Sequence, residues 1–163
     1  MIGQPEVFQR LKELGIEFIY TEHPATPTVE SGRQYWGHLP GTHCKNLFFR
    51  NHKGNQHYLV IIQCEQNIAI HDLEHSLHQG KLSFASEARM DRYLGLKPGS
   101  VSPFGLINDA EHHVKVFLDE NLRNYTHLSF HPNDNRASLN IALDDFIRYM
   151  NSTGNQYEWI KLY

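Results

Sequence analysis

Three places in the chain carry residue types that can do chemistry on a small polar ligand. Lys45 precedes the apolar run Leu47-Phe48-Phe49, so alternation sets it near the mouth of a strand. A lysine there is ordinarily a solvated strand end; the functional alternative is a lone cation holding a phosphate or ribose oxygen, with Asn46 beside it as donor and acceptor. The second place is Gly99-Ser100-Val101-Ser102-Pro103. Glycine admits close approach of the main chain and proline stiffens the far end, so the loop can turn N–H groups toward a developing oxyanion and a carbonyl toward a water. Alone, it also reads as a plain helix-to-strand turn. The third is His131, followed by Pro132. That pair is common turn chemistry, yet an imidazole there can also donate at a pocket rim or act as a base near neutral pH.

Other groups compete. His71, His75 and His78 share one helical face at metal-ligand spacing, but no Cys or Glu cluster accompanies them, and surface histidines on a short helix are the simpler reading. Cys44 beside Lys45 is a conceivable nucleophile, although a buried, inert thiol is the commoner case and no histidine–acid pair can be assigned to it. Asp144-Asp145 and Asp119-Glu120 read as helix-start or turn carboxylates. Tyr35 and Trp36 read as core or rim aromatics.

These residues must be positioned by a regular frame. Helical spacing predicts a helix from Glu6 to Leu14 stopped by Gly15, then a strand Phe18–Thr21. Thr28 is the expected cap of a helix running through Tyr35 and Trp36 to Gly37. Strands 46–50 and 58–62 flank Lys53-Gly54-Asn55, which is hairpin chemistry. A helix over 72–78, a strand over 82–84, and a helix over 87–94 capped by Ser86 and ended by Gly95 follow. Further strands are expected at 106–107, 114–117, 128–130, 137–141 and 158–162, with a helix over 144–150. Helices and strands alternate irregularly and several strand neighbours are hairpins. That pattern predicts an α/β (α+β mixed) fold, a mixed and partly barrel-like sheet surrounded by helices. No strand leads into GxGxxG or a P-loop.

With 163 residues and no internal repeat or linker, the chain is expected to form one domain, 1–163. Its hydrophobic fraction of 40% excludes a disordered chain. Two cysteines without CxxC, no secretory segment and no membrane-length apolar run predict a reduced, cytoplasmic protein with no membrane partner. The net charge of −3 argues against a protein that grips a long stripe of nucleic acid, and leaves open an enzyme touching only an RNA end.

In chain order, Thr28-Val29-Glu30, then Pro40-Gly41-Thr42-His43-Cys44-Lys45-Asn46-Leu47-Phe48, then Leu82-Ser83-Phe84-Ala85 resemble the aminoacyl-tRNA editing domains related to YbaK and to the insertion domain of bacterial prolyl-tRNA synthetase. The run from Leu94 to Asp109, with His131-Pro132 and Asn135, is similar to the freestanding prolyl-tRNA editing proteins of the ProX or PrdX type. The likeness spans about Phe8 to Gly154.

The resemblance implies a trans-acting deacylase that clears alanine wrongly attached to proline tRNA, without a metal or cofactor. It assigns Lys45, Gly99 and His131 to catalysis, and Val29, Asn46, Ser100, Val101, Ser102, Pro103 and Asn135 to substrate binding. Its partner is the tRNA acceptor end, with prolyl-tRNA synthetase as a further candidate. A ribose hydroxyl of the substrate is expected to assist the water. An aminoacyl ester is already activated, so positioning and oxyanion stabilisation suffice and no Ser-His-Asp set is required. Two departures bear on the amino acid admitted. The His-Pro turn continues Asn133-Asp134-Asn135 where a Leu-Thr-Asn-like run is usual, and the helix after Val29 carries Gly32, Tyr35 and Trp36. Three alternatives stand beside this reading: editing of another small residue such as cysteine, a binding module that has lost turnover, and a metal protein built on His71, His75 and His78.

Overall fold

A computed structural model describes residues 1–25 and 29–163. The expected Thr28 cap lies outside the described residues. In chain order the elements are α1 (Pro5–Glu13), β1 (Ile19–Glu22), α2 (Val29–Trp36), β2 (Thr42–Asn51), β3 (His57–Gln63), α3 (Ile70–Leu77), β4 (Leu82–Phe84), α4 (Glu87–Leu94), a 3-10 turn (Pro103–Asn108), β5 (Lys115–Asp119), a second 3-10 turn (Glu120–Asn124), β6 (His127–Phe130), β7 (Ala137–Ala142), α5 (Leu143–Thr153) and β8 (Tyr157–Ile160). Eight strands form one mixed sheet in the order β1-β7-β6-β2-β3-β5-β8, with β4 added to β2. This is the mixed α/β class that the alternation predicts.

Strand β2 is the organising element. It pairs antiparallel with β3 along Cys44–Arg50. Its other edge is shared: β6 pairs in parallel at Thr42 and His43, and β4 pairs antiparallel at Phe49–Asn51. Between them that edge of β2 has no strand neighbour among the described residues. The sheet's two faces are covered by separate apolar clusters. Cys44, Phe48, Leu59, Ile61 and Phe130 belong to the larger one, and Phe49, Val60, Ile62 and Phe117 to the smaller. Each fully buried side chain of this size contributes roughly 1.5–3 kcal/mol. Burial on both faces explains why β3 reads as an unbroken apolar run, Tyr58-Leu59-Val60-Ile61-Ile62.

Two expectations are corrected. Leu106-Ile107 is not a strand but part of the 3-10 turn. Pro103 opens that turn with its fixed φ, the Ser102 hydroxyl accepts from the Phe104 N–H at 2.9 Å, and the buried Tyr149 hydroxyl donates to the Pro103 carbonyl at 2.8 Å. Lys45 is not at the mouth of a strand, because β2 begins at Thr42. Gly41 makes the early start possible: its φ is +75°, and a Cβ there would meet the His127 carbonyl oxygen at 1.8 Å. That close approach brings β6 against Thr42 and His43. Asp119 caps the turn at Glu120–Asn124, so the Asp119-Glu120 carboxylates take the helix-start or turn role read for them.

Candidate functional site

The gap in β2's edge opens onto a cavity of about 360 Å³, within the range of small-ligand sites. Strand alternation dictates what β2 offers it. The His43 carbonyl accepts from the Cys64 N–H, on the β3 side, and the Phe48 carbonyl accepts from the Ala85 N–H, on the opposite side. Even-numbered residues therefore turn their main chain toward the gap, and Asn46 stands at its centre with no strand opposite. The Asn46 Oδ1 is buried and has no hydrogen-bond partner among the described residues. Such a group is costly unless something enters to satisfy it.

Lys45 also lines the cavity, its Nζ donating to the Gln66 carbonyl at 2.7 Å and to Asn67 Oδ1 at 3.0 Å. These contacts aim the ammonium group from the loop after β3, and both acceptors are neutral. His131 lies on the opposite wall. Its Nδ1 donates to the Ala137 carbonyl at 2.8 Å, which fixes the tautomer and leaves Nε2 with the lone pair. Burial holds the His131 pKa below its ordinary value, so the ring is neutral at pH 7.

Beside His131 is a stack of rings. His43 lies flat on Trp36, centroids 4.2 Å apart, and meets His131 at 5.3 Å. Burial, with His131 and His23 adding a smaller like-charge effect, pushes the His43 pKa down to about 3, and its Nδ1 is buried without a partner among the described residues. His23 closes the group from behind, donating from Nδ1 to the Pro24 carbonyl and accepting the Ser138 hydroxyl at Nε2. Gly32 exists to admit the indole: a Cβ on it would lie 1.6 Å from Trp36 Cη2.

Of the residues singled out in the sequence, Val29, Lys45, Asn46, Gly99, Val101 and His131 line this one cavity. Ser100, Ser102, Pro103 and Asn135 do not. Ser102 is fully buried, capping the 3-10 turn and donating to Asn133 Oδ1, and Pro103 is buried beneath it. Asn135 stands behind Gly99, where a Cβ would meet its Nδ2 at 3.3 Å. Gly99 has a φ of +86°, a conformation that favours glycine.

Trp36 lines the cavity as the rim aromatic read from the sequence, and the structure adds His43 and Phe84. His43 sits two residues before Lys45 in the same run and was legible only as part of it. The competing sites fare differently. The Cys44 thiol is buried, and burial raises its pKa well above normal, which removes it as a nucleophile. His78 leaves the helix in a left-handed conformation (φ 55°), and among the described residues no group of three or more His, Cys, Asp or Glu is arranged to hold a metal. Among the same residues no helix is long and apolar enough to cross a membrane.

A mixed sheet whose strand β2 is left unpaired on one edge over residues 44–48, with a lysine, a neutral histidine and a glycine loop around the opening, frames a pocket of small-ligand size among the described residues. A family model described as aminoacyl-tRNA editing domain matches residues 23–149, and the chain belongs to that family. It is thereby an aminoacyl-tRNA hydrolase, as the resemblance in the sequence implies. Among its relatives, the prolyl-tRNA editing protein ProX of Acetoanaerobium sticklandii is 37% identical over 162 residues, covering 99% of each chain. Prolyl-tRNA synthetase associated domain-containing protein 1 of Bos taurus is 34% identical, covering 90% of this chain and 88% of its own. A solved structure described as a candidate trans-editing enzyme for prolyl tRNA synthetase shares the fold, with a TM-score of 0.70 at 23% identity over 97% of this chain and 98% of that one.

Proposed function

We propose that the chain acts in the cytoplasm, as a single editing domain, to hydrolyse the ester of tRNA(Pro) mischarged with alanine. The prolyl-tRNA editing name of its 37% identical relative supports the tRNA. The observation that carries the reading is the unanswered Asn46 in the gap of β2, flanked by Lys45, Gly99 and His131. In this reading Asn46 receives the polar groups of the aminoacyl ester and Lys45 the oxygens of the terminal nucleotide. The main chain around Gly99 stabilises the oxyanion formed when water adds to the ester carbonyl; Ser100, Ser102, Pro103 and Asn135 hold that loop in shape. The carbon–oxygen bond to the ribose then breaks, and the ribose oxygen takes up a proton. The other ribose hydroxyl orients the water. No protein nucleophile and no metal is required, because positioning an already activated ester supplies most of the effect.

Size sets the amino acid. Val29, Val101 and the Trp36–His43–His131 rings form the wall against which alanine's methyl fits and the ring of proline collides. Prolyl-tRNA synthetase is proposed as the partner that releases the mischarged tRNA.

The test is deacylation of tRNA(Pro) carrying alanine, cysteine or proline, side by side. Alanine is released fastest and proline is spared. Lys45→Ala lowers kcat/KM by about 100-fold or more with unchanged melting temperature. Release of cysteine ahead of alanine would reassign the substrate, and full activity in Lys45→Ala would remove Lys45 from the site.

A further inference from the structure

Strand β2 carries a second polar feature on the same face as Asn46. Four residues further on, about 13 Å along a strand, stands Arg50, directly opposite His57 of β3. His57 is fully buried and accepts from Arg89 Nη1 of α4 at 3.0 Å, so its Nδ1 carries the proton and donates to His113 Nε2 at 2.9 Å. Tyr93 of α4 lies over His57 with centroids 4.0 Å apart, and the Arg92 guanidinium sits 5.1 Å from the Tyr93 ring. Arg89 also donates to the Gly54 carbonyl at 2.8 Å, which ties α4 to the hairpin turn where Lys53 is exposed. Arg50, Arg89 and Arg92 are thus gathered around one buried imidazole, and Lys53 stands in the hairpin turn that Arg89 holds against α4. None has a carboxylate within ion-pair distance among the described residues, although Glu87 and Asp91 share α4 with two of them.

In a chain of net charge −3, four cations collected without an acid partner are a local exception. The patch is continuous with the pocket through two elements. Strand β2 carries Asn46 and Arg50, and α4 turns Met90 into the cavity while holding Arg89 and Arg92 on the patch. We infer that Arg50, Lys53 and Arg92, braced by Arg89 and His57, form a phosphate-binding surface for the acceptor stem of an RNA whose 3′ end occupies the pocket. The inference rests on the deacylase reading for the identity of its RNA, and it assigns that RNA a direction: out of the gap, over β4 and along α4. A few clustered cations contact the backbone without reading sequence, which suits a protein that has no long basic stripe.

The test uses Lys53→Ala/Arg92→Ala, two exposed residues, beside the charge-keeping Lys53→Arg/Arg92→Lys. Binding of uncharged tRNA(Pro) is followed as salt is varied, and deacylation is compared on aminoacyl-tRNA(Pro) and on an aminoacyl-adenosine lacking the stem. The alanine double variant is expected to bind tRNA roughly tenfold or more weakly at about 0.1 M salt, with a salt slope shallower by about 1.4–1.8. Its KM rises on tRNA with kcat unchanged, its rate on aminoacyl-adenosine stays at the starting value, and the charge-keeping variant restores binding. Unchanged affinity and slope would overturn the inference, including the case in which the patch serves an acidic protein. If the unmodified protein cleaves neither ester, the deacylase reading fails while the binding measurement still decides the patch.

Discussion

A methyl group added at Gly32 would stand 1.6 Å from the Trp36 indole, and the indole in turn lies flat on His43. One missing side chain on α2 therefore sets the depth of the pocket on the far side of the ring. Gly32→Ala is expected to push the indole off His43, costing about 1–3 kcal/mol in urea unfolding and shifting the tryptophan emission. An unshifted spectrum with unchanged stability would show that the wall is not built this way. At this scale the sequence was legible in part. Lys45, Asn46 and His131 could be named from type and order. His43 could not, because its significance comes from a tryptophan on another element and a histidine 88 positions away, neither of which is a local property.

Among the elements, the 3-10 turn at Pro103–Asn108 shows where pattern reading misleads. Leu106 and Ile107 are apolar and flanked by glycine and asparagine, which resembles a short strand. The turn wins because Pro103 fixes its first φ and Tyr149 of α5, 46 residues later, anchors the Pro103 carbonyl. Tyr149→Phe leaves that buried carbonyl without its donor and is expected to lower stability by about 1–3 kcal/mol, measured by urea denaturation. Deacylation should fall with it, since the anchored turn carries the loop from Gly99. A stable variant with a normal rate would make the anchor irrelevant. Helices α1, α4 and α5, by contrast, were legible to within a few residues, since their apolar spacing and the stop residues Gly15, Gly95 and Gly154 are local.

For the molecule as a whole, two histidines, His57 buried and His43 half-buried, tie stability to pH. Burial, then His131 and His23, lowers the His43 pKa to about 3; burial, then His113, Arg89, Arg92 and Arg50, lowers that of His57 to about 4. Both folded-state values lie below the ordinary value near 6.5, so the unfolded chain takes up protons first as the solution is acidified. Their contribution is fully present above about pH 6.5 and is lost as pH falls toward the folded values. At pH 5 each accounts for a loss on the order of 2 kcal/mol. Urea midpoints should therefore fall between pH 7 and pH 5, and His57→Gln should flatten the dependence. A midpoint that holds constant over that interval would contradict the neutral state of both rings.

The unpaired stretch of β2 also has a kinetic signature. Lys45 and Leu47 send their amide hydrogens to β3, inside a strand buried along its whole length, whereas the amide hydrogen of Asn46 faces the gap. Along three consecutive residues, deuterium should replace the middle proton quickly and its two neighbours only upon global opening. A bound ester analogue that occupies the gap should erase that contrast. The slowing of this one amide would count occupied pockets without any turnover being observed.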